Sequence, residues 1–339
     1  MKICQVIASK GEGGLEKHVR ELSSQLVKQG HQLTVIGDKS FLKTLDSTIQ
    51  CYPINCQQSR RNPLLLFKLF TLLRAGNYDI IHAQASKATA MVGMIYTFLA
   101  SPTVATIHNI KRTTGIFQRL DHTIAVSKQL ATSFNKAQTS VIYNGIIPPK
   151  VKKVDLKSKF ELANTNPIII AVGRLVEAKG FDILLDAITG LPLNLLIAGE
   201  GPERRKLTLK INAIKSPTQV KLLGHCSDIT DLMASADAVV ISSRREGFSY
   251  VFNEALLTAC KVLATDVPVA NEILPDNLIV PTESPEKLRT ALQRLLKNDD
   301  EWQTLMSEPH QFAKHAMTLQ KMTEKTLAVY QELIANSIK

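Results

Sequence analysis

Arg174 and Lys179 stand five residues apart after a Val/Ile-rich run, and together they could bind a diphosphate. The run PIIIAVG predicts a buried strand that ends at Gly173, with Arg174 on the next turn and a new helix after Gly180. Ligands of doubly wound sheets bind at the carboxyl ends of the strands. Arginine can hold phosphate oxygens through two parallel N–H groups, and lysine adds a point charge. Taken alone, the same spacing also fits two solvated surface cations.

A second group of candidates follows the strand candidate DAVVIS, in SSRREGFSYVFNEALLTAC at 242–260. Gly247 would let backbone N–H groups approach a ligand, and the start of the next helix would add partial positive charge that suits a phosphate. Glu246 falls in the loop and Glu254 on the helix. Neither carboxylate has a salt-bridge partner at helical spacing, so we expect both to bind hydroxyl groups. For Glu254 the alternative is an ordinary exposed helical residue.

A glycine cluster, KGEGGLEKH at 10–18, comes directly after the first strand candidate. Its place is that of a phosphate loop, but it lacks the glycine spacing of both dinucleotide-binding and P-loop motifs. A phosphate contact and a simple strand-to-helix turn both remain open for Gly13 and Gly14.

Short Val/Ile-rich runs that alternate with helical stretches would position these groups. Such runs are typical of strands buried on both faces of a parallel sheet, and the rhythm predicts doubly wound sheets. The strand candidates are KICQVIA, QLTVIG, DIIHA, TVATIH, HTIAVS and TSVIYN, then PIIIAVG, NLLIAG, QVKLLG, DAVVIS, KVLAT and NLIVP. The helix candidates are Leu15–Gln29 (closed by Gly30), Phe181–Ile188, Glu203–Ile214, Asn253–Ala259 and one or two helices over Ala313–Ile334.

The length of 339 residues fits two α/β domains of roughly 150 residues each. Asn144-Gly145 and Pro148-Pro149 interrupt the alternation, and a Lys-rich stretch follows, so we place the domain boundary there.

Composition excludes several classes of protein. The five cysteines form no CxxC pair, so neither a disulfide framework nor a metal site is predicted. The first residues, MKICQVIAS, predict a strand rather than a signal peptide, and no apolar run is long enough to span a membrane. We therefore expect a cytoplasmic protein, with peripheral attachment to the inner face of the cytoplasmic membrane as the alternative.

The net charge of +11 lies entirely in the first half of the chain. Residues 1–150 contain 18 Lys and Arg against 7 Asp and Glu, whereas residues 151–339 contain 23 of each. Such a field attracts anionic partners, namely an anionic glycan or glycolipid acceptor or an anionic membrane surface. Aromatic residues are few and no base-stacking motif occurs, so nucleic acid is not expected as a partner.

The stretch Arg60–Arg74 predicts a basic and strongly apolar helix. It could be a crossover helix buried against its sheet, or a helix that docks partly into a membrane interface. Lys111-Arg112 would add charge to the same membrane contact.

Together these stretches resemble the retaining glycosyltransferases of family four, which have the GT-B fold. The resemblance runs over nearly the whole chain and is strongest from Ile168 to Pro275. It rests on Glu246-x7-Glu254 within REGFSYVFNEA, VGRLxxxKG at 172–180, IAGEGP at 197–202 and LLGH at 222–225.

The resemblance implies two Rossmann-like doubly wound domains that face each other across a cleft, with a C-terminal helix crossing back to the first. The acceptor-side domain would be residues 1–147 plus a helix at about 318–339. The donor-binding domain would be residues 148–317.

The resemblance also implies roles for individual residues. Arg174 and Lys179 would bind the donor diphosphate, Glu246 and His108 the donor sugar, and Glu254 the ribose hydroxyls. The catalytic set is then His108, Glu246, Arg174 and Lys179. The donor-binding set is Gly13, Gly14, Gly173, Gly201, Gly224, Gly247, Phe248, Ser249, Tyr250 and Glu254.

One stretch departs from the family pattern. Relatives usually carry a glycine-rich turn after the strand KVLAT, whereas Asp266–Glu272 contains no glycine. We expect this turn to be built with Pro268 and small side chains. His82 and Gln84, at another strand end, have the simpler interpretation of polar loop residues.

The predicted function is transfer of a sugar, with retention, from a nucleotide-diphosphate sugar (UDP by family frequency) to a hydroxyl of an envelope glycan or glycolipid such as lipopolysaccharide. No cofactor or metal is expected, because the cations would stabilise the leaving diphosphate. The alternatives are a nucleotide-sugar epimerase of the same fold and a non-catalytic nucleotide-sugar binding protein.

Overall fold

The computed structural model describes residues 1–11, 13–109, 115–132, 134–135, 138–162 and 165–337. The chain divides into two compact units, the first made of Met1–Ile147 with Ala316–Lys339 and the second of Pro148–His315. Lys111 and Arg112 lie outside the described residues, as does Glu12 of the first glycine-rich loop.

The first unit contains a seven-stranded parallel sheet in the order β3-β2-β1-β4-β5-β6-β7. Its strands are β1 Lys2–Ile7, β2 Gln32–Gly37, β3 Gln50–Pro53, β4 Ile80–Gln84, β5 Thr103–Ile107, β6 His122–Ala125 and β7 Thr139–Val141. Its helices up to residue 147 are α1 Gly14–Lys28, α2 Lys39–Leu42, α3 Pro63–Ala75, α4 Ala85–Val92 and α5 Lys128–Ala131.

Helix α1 shows how the sequence sets a helix on this sheet. Val19, Leu22 and Leu26 lie on one face and are fully buried. The helix ends where Gly30 adopts a φ of +82°. The Gly30 amide donates to the Val27 carbonyl and the His31 amide to the Leu26 carbonyl, a Schellman motif. The predicted glycine cap is confirmed.

The second unit contains a six-stranded parallel sheet in the order β10-β9-β8-β11-β12-β13. Its strands are β8 Ile168–Val172, β9 Asn194–Ala198, β10 Gln219–Gly224, β11 Ala238–Ile241, β12 Val262–Thr265 and β13 Ile279–Val280. Its helices are α6 Leu156–Lys159, α7 Phe181–Ile188, α8 Arg204–Asn212, α9 Ile229–Ser235, α10 Tyr250–Leu257, α11 Ala270–Ile273, α12 Pro285–Lys297, α13 Asp299–Leu305 and α14 Ser307–Ala316. The predicted pair of Rossmann-like parallel sheets is confirmed.

The helix α15 Leu319–Ser337 belongs to the first unit, as the resemblance implied. Met322 and Tyr330 are buried in the same core as Ile3 of β1. Where α15 begins, Thr318 pairs with Ile146. A Cβ at Gly145 would lie 2.1 Å from the Thr318 carbonyl oxygen, so only glycine permits this close approach.

Some elements of the structure were not predicted, and one predicted helix begins at a different residue. Strand β3, of sequence QCYP, was not predicted because it has neither valine nor isoleucine and ends in proline. Helix α10 begins at Tyr250 rather than Asn253, because the Ser249 hydroxyl accepts a hydrogen bond from the Phe252 amide and caps the helix. The helices that were not predicted are α2, α4, α5, α6, α9, α11, α12 and α13.

The glycine-free turn Asp266–Glu272 contains a strained backbone position next to Pro268. Val269, a β-branched residue, has φ +73° and ψ −48°, which lies in the strained region of a γ-turn. Its side chain is fully buried, and the Asn271 amide group donates to the Asp266 carboxylate across the turn. The positive φ that a glycine would take in this turn is thus adopted by Val269, a residue that the sequence did not single out.

Candidate functional site

In the second unit, glycines bring the carboxyl ends of neighbouring strands into backbone contact. Gly173 after β8 has φ +152°, and Gly199 after β9 has φ +147°. A Cβ at Gly199 would lie 1.9 Å from the Gly173 carbonyl oxygen, and one at Gly180 would lie 2.1 Å from the Ser242 carbonyl oxygen. Because these contacts exclude side chains, the loops after β8, β9 and β11 can lie close together.

A pocket of about 300 Å³ opens at these strand ends, which we call the strand-end pocket. The predicted residues Gly173 and Arg174 line it, and Arg174 is exposed. The other lining residues, which the sequence motifs did not single out individually, are Val172, Ala198, Gly199, Glu200, His225, Cys226 and Ile229.

The predicted glycines Gly201 and Gly224 do not line the strand-end pocket but directly follow or precede residues that do, Glu200 and His225. Gly224 has φ +73°, and its carbonyl accepts a hydrogen bond of 2.7 Å from the Gly199 amide. A Cβ at Gly201 would lie 2.4 Å from the Leu175 carbonyl oxygen. Close backbone packing therefore favours glycine at position 201, and the positive φ favours it at position 224.

Lys179 and Glu246 form a salt bridge with each other. Their side chains are only 21% and 10% exposed, and the Ser243 hydroxyl donates a second hydrogen bond of 2.8 Å to Glu246. The Lys179 side chain also packs over Gly173, because a Cβ added at Gly173 would lie 3.0 Å from the lysine Cε. The expectation that Glu246 has no cationic partner holds only at helical spacing, because the partner comes from the loop after β8.

Arg244 joins the same two loops and was missed, because the sequence does not distinguish it from Arg245. Its guanidinium makes two hydrogen bonds, of 2.7 and 3.0 Å, to the carboxylate of Asp182 in α7. These bonds lower the pKa of Asp182 and raise the pKa of Arg244. The Arg244 amide also donates to the Ala178 carbonyl, so the loop bearing Glu246 is fixed against the turn bearing Lys179.

Gly247 to Tyr250 lead from this loop into α10. Gly247 is buried, and the Phe248 and Tyr250 rings meet edge to face with centroids 5.4 Å apart. Glu254 lies half-buried in the second turn of α10. The contacts place Glu246 with Lys179 but assign no ligand to Glu254.

In the first unit, the glycine-rich loop is held by Glu16. Its buried carboxylate accepts hydrogen bonds from the Ser9 hydroxyl and, at 3.0 Å, from the Gly13 amide. Gly14 is the first residue of α1. The loop is therefore a strand-to-helix turn that the Glu16 carboxylate holds in place, and these contacts do not decide whether it also binds a phosphate.

His108 follows β5 and is 7% exposed. Its Nε2 lies 3.0 Å from Gln84 Oε1, and its ring meets the His18 ring edge to face at 4.7 Å. Burial holds the pKa of His108 well below its ordinary value, with further lowering from His18 and His82. His108 is therefore a neutral imidazole at neutral pH.

His82 and Gln84 are not loop residues, contrary to the simpler interpretation. Both belong to β4 and are buried. His82 Nδ1 lies 2.5 Å from the Tyr330 hydroxyl of α15, and its Nε2 lies 2.6 Å from the Thr106 hydroxyl. Burial lowers the pKa of His82 to about 3. His82 thus anchors the returning helix, whereas Gln84 contacts His108.

The stretch Arg60–Arg74 forms α3, preceded by Arg60 and Arg61. Leu65, Leu69 and Leu73 pack inward, as a crossover helix requires, while Leu64 and Phe67 are 77% and 69% exposed. The described residues contain no helix that could span a membrane, and no cluster of three or more potential metal ligands.

Two family models match the chain: Glycosyltransferase Family 4 over residues 12–148 and Glycosyl transferases group 1 over residues 153–316. A human phosphatidylinositol N-acetylglucosaminyltransferase subunit is 26% identical over 365 aligned residues, covering 96% of this chain and 74% of that protein. The O-antigen biosynthesis glycosyltransferase WclY of Escherichia coli is 22% identical over 368 aligned residues, covering 98% of this chain and 99% of that protein.

Solved structures have the same fold. The Anabaena protein HepE in complex with UDP superposes with a TM-score of 0.84 at 21% identity, covering 98% of this chain and all of that one. A glycosyltransferase from Rickettsia africae also superposes with a TM-score of 0.84, at 20% identity, covering 99% of this chain and 99% of that one. Because the two family models match consecutive stretches from residue 12 to residue 316, the chain belongs to glycosyltransferase family four and is a glycosyltransferase of GT-B fold.

Proposed function

We propose that the protein transfers a sugar, with retention, from a UDP-sugar to a hydroxyl of a glycolipid or other envelope glycan. The observation that carries the donor assignment is the strand-end pocket, where exposed Arg174 stands beside the two strand-end glycines. HepE, of the same fold, has been solved with UDP and with UDP-glucose, which supports UDP as the nucleotide.

Arg174 and Lys179 would stabilise the diphosphate as it leaves, with the amides before α10 as further donors. Each such group lowers the activation free energy by about 2.7–4 kcal/mol. In the front-face route of retaining relatives, the leaving phosphate takes the proton of the acceptor hydroxyl, so no enzymic nucleophile is needed. The proposal involves no cofactor and no metal. Glu246 and His108 are assigned to the sugar, and Glu254 to the ribose, on the sequence resemblance.

The acceptor assignment rests on charge and on relatives. The relatives include an O-antigen biosynthesis enzyme and a phosphatidylinositol-modifying protein, whose names point to lipid-linked or envelope acceptors. Between Asp46 and Asp79 the chain has four cations and no acidic residue. An anionic glycolipid therefore suits the first unit better than a neutral soluble sugar.

We propose further that the outer face of α3 docks on an anionic membrane. Leu64, Phe67 and Phe70 recur every three residues along one side of the helix, and the Phe70 ring contacts that of Phe98, which is 69% exposed. The exposed cations Arg60, Arg61, Lys68 and Arg74 border this stripe. Apolar insertion combined with basic charge is the usual composition of an interfacial helix.

The donor assignment is tested by thermal-shift measurement with UDP-, GDP-, ADP- and dTDP-sugars, because a ligand of the folded state raises its stability. UDP-sugars should give the largest shift, and Glu254→Gln should reduce it. No shift with any nucleotide would contradict the donor site. Product analysis with and without acceptor then separates transfer from epimerisation, which needs no acceptor.

The membrane assignment is tested by sedimentation with neutral and anionic vesicles at two salt concentrations. Binding should require anionic lipid and weaken with salt, because exposed charges are screened beyond about 8 Å at physiological ionic strength. Replacing Leu64, Phe67 and Phe98 by Ser should release the protein, as should Arg60, Arg61 and Lys68 to Gln. Leu209→Ser is the matched control, since Leu209 is 66% exposed in the second unit. Equal binding to both vesicle types would refute the surface.

A further inference from the structure

A chain of buried side-chain hydrogen bonds ends at His108. Gln5 Nε2 donates to the Ser23 hydroxyl at 3.1 Å, and Gln84 Nε2 donates to Gln5 Oε1 at 2.9 Å. Gln84 Oε1 then lies 3.0 Å from His108 Nε2. Ser23 and Gln5 are fully buried and Gln84 is 1% exposed, so water does not replace these partners.

The polarity of this chain determines where His108 carries its proton. Both amide groups point their NH₂ away from His108, so the oxygen of Gln84 faces the imidazole. An amide oxygen can only accept a hydrogen bond, so His108 Nε2 must be the donor. In a neutral imidazole the other nitrogen, Nδ1, then keeps its lone pair and can only accept.

Neutrality of His108 follows from its surroundings. The titratable groups that face it are His18 on α1 and His82 on β4, and all three rings are buried. Burial lowers the pKa of His18 to about 4, so the ring against His108 is also neutral near pH 7. Gln84, which is uncharged, holds His108 without drawing a second proton onto it, as a carboxylate in its place would.

We propose that Gln84 is a positioning residue that fixes His108 as the neutral Nε2–H tautomer, so that Nδ1 accepts a hydrogen bond from a substrate hydroxyl. An Nδ1 lone pair suits a sugar hydroxyl and repels a phosphate oxygen. His108 therefore contributes to selection of the sugar rather than to binding of the diphosphate. The part concerning substrate rests on the proposed function, whereas the tautomer is a property of the protein alone.

The tautomer is tested by NMR of the full-length protein labelled with ¹⁵N-histidine, without ligand. His108 should give a correlation between Nε2 and a proton protected from exchange, identified by its loss in His108→Asn. Gln84→Met should abolish this signal, because the acceptor is gone. Thr106→Val, which removes a buried hydrogen bond of neighbouring His82, should retain it. A proton on Nδ1 in the wild-type protein, or an unchanged signal in Gln84→Met, would overturn the proposal.

The effect on transfer is tested with Gln84→Met and the conservative Gln84→Glu. Gln84→Met should lower kcat about 10- to 100-fold with little change in UDP affinity, as expected when a group that orients the sugar is misplaced. Gln84→Glu keeps an oxygen that accepts the hydrogen bond of His108 Nε2. At high pH its kcat should therefore be much closer to the wild-type value than that of Gln84→Met. Its carboxylate should raise the pKa of His108, so its rate should fall on the acid side where wild type stays flat.

Gln84→Glu keeps the size and buried oxygen of the wild-type side chain, so it remains informative if Gln84→Met fails to fold. Identical pH profiles for wild type and Gln84→Glu would overturn the proposal. Absence of transfer by the wild-type protein with every donor would refute the proposed function instead, and would leave the NMR result standing.

Discussion

The salt bridge between Lys179 and Glu246 makes a specific prediction about nucleotide affinity. In the ligand-free protein the Lys179 ammonium is engaged by the Glu246 carboxylate, so a diphosphate must compete with that carboxylate for the lysine. Glu246→Gln removes the competing charge while keeping the shape. We therefore expect Glu246→Gln to bind UDP more tightly than wild type, even though sugar transfer falls.

The size of the effect follows from the burial of the pair. Exposed salt bridges contribute about 0.2–1 kcal/mol, and breaking fully buried ones costs about 3–5 kcal/mol. With side chains 21% and 10% exposed, this pair lies between the two cases, and we expect Glu246→Gln to cost about 1–3 kcal/mol in stability. Because Lys179 is then free to bind the diphosphate, the affinity of Glu246→Gln for UDP should rise about 3- to 10-fold.

Isothermal titration calorimetry with UDP measures this directly. Lys179→Met should weaken UDP binding, and the double variant should resemble Lys179→Met, since Glu246 then has no lysine to release. Asp182→Asn is the matched control, because it breaks the neighbouring pair with Arg244 and should not tighten UDP. If Glu246→Gln weakens UDP as much as Lys179→Met does, the carboxylate supports the lysine in its binding position, and the competition argument is wrong.

Three other predictions follow from features of single residues. Arg174→Ala should lower turnover roughly 10²-fold or more with the fold intact, measured by steady-state kinetics and circular dichroism; near-normal turnover would remove Arg174 from the diphosphate site. Val269→Gly should be more stable than Val269→Ala by about 1 kcal/mol, because the positive φ costs alanine about 1–3 kcal/mol and glycine adopts it without strain. At buried Val267 the order of the glycine and alanine variants should reverse. Denaturant unfolding measures the stability of all four variants. Burial gives His18 and His82 folded pKa values of about 4 and 3, below the ordinary 6.5, so below pH 6.5 the unfolded chain binds more protons than the folded one. The thermal midpoint should therefore be highest above pH 6.5 and fall towards pH 4. A thermal midpoint that stays constant with pH by calorimetry would contradict this.

The sequence predicted those features of the fold that depend on local pattern. Every Val/Ile-rich run became a strand, because strands buried on both faces need little else to be recognised. Strand β3 escaped because its four residues, QCYP, carry no such signal. The cap at Gly30 was predictable for the same reason, since a left-handed residue after an amphipathic stretch is a local event.

The candidate site was predictable as residue types but not as contacts. Lys179 and Glu246 are 67 residues apart, and only the adjacency of β8 and β11 brings them together. Gln84 ends strand β4 and His108, 24 residues later, directly follows the neighbouring strand β5, and nothing near either residue marks the other as its partner. Such pairings are products of strand order, which a single sequence does not display.

The return of α15 to the first unit has a consequence for synthesis of the chain. Residues Pro148–His315 form one continuous unit, so all of its parts have been translated before α15 is made. The first unit, in contrast, waits for α15 to cover Ile3 and to bring the Tyr330 hydroxyl to His82. On the ribosome the usual order, in which the N-terminal domain folds first, is therefore reversed. Until then, Ile3 and the other apolar side chains of the first unit that pack against α15 have no cover from this helix.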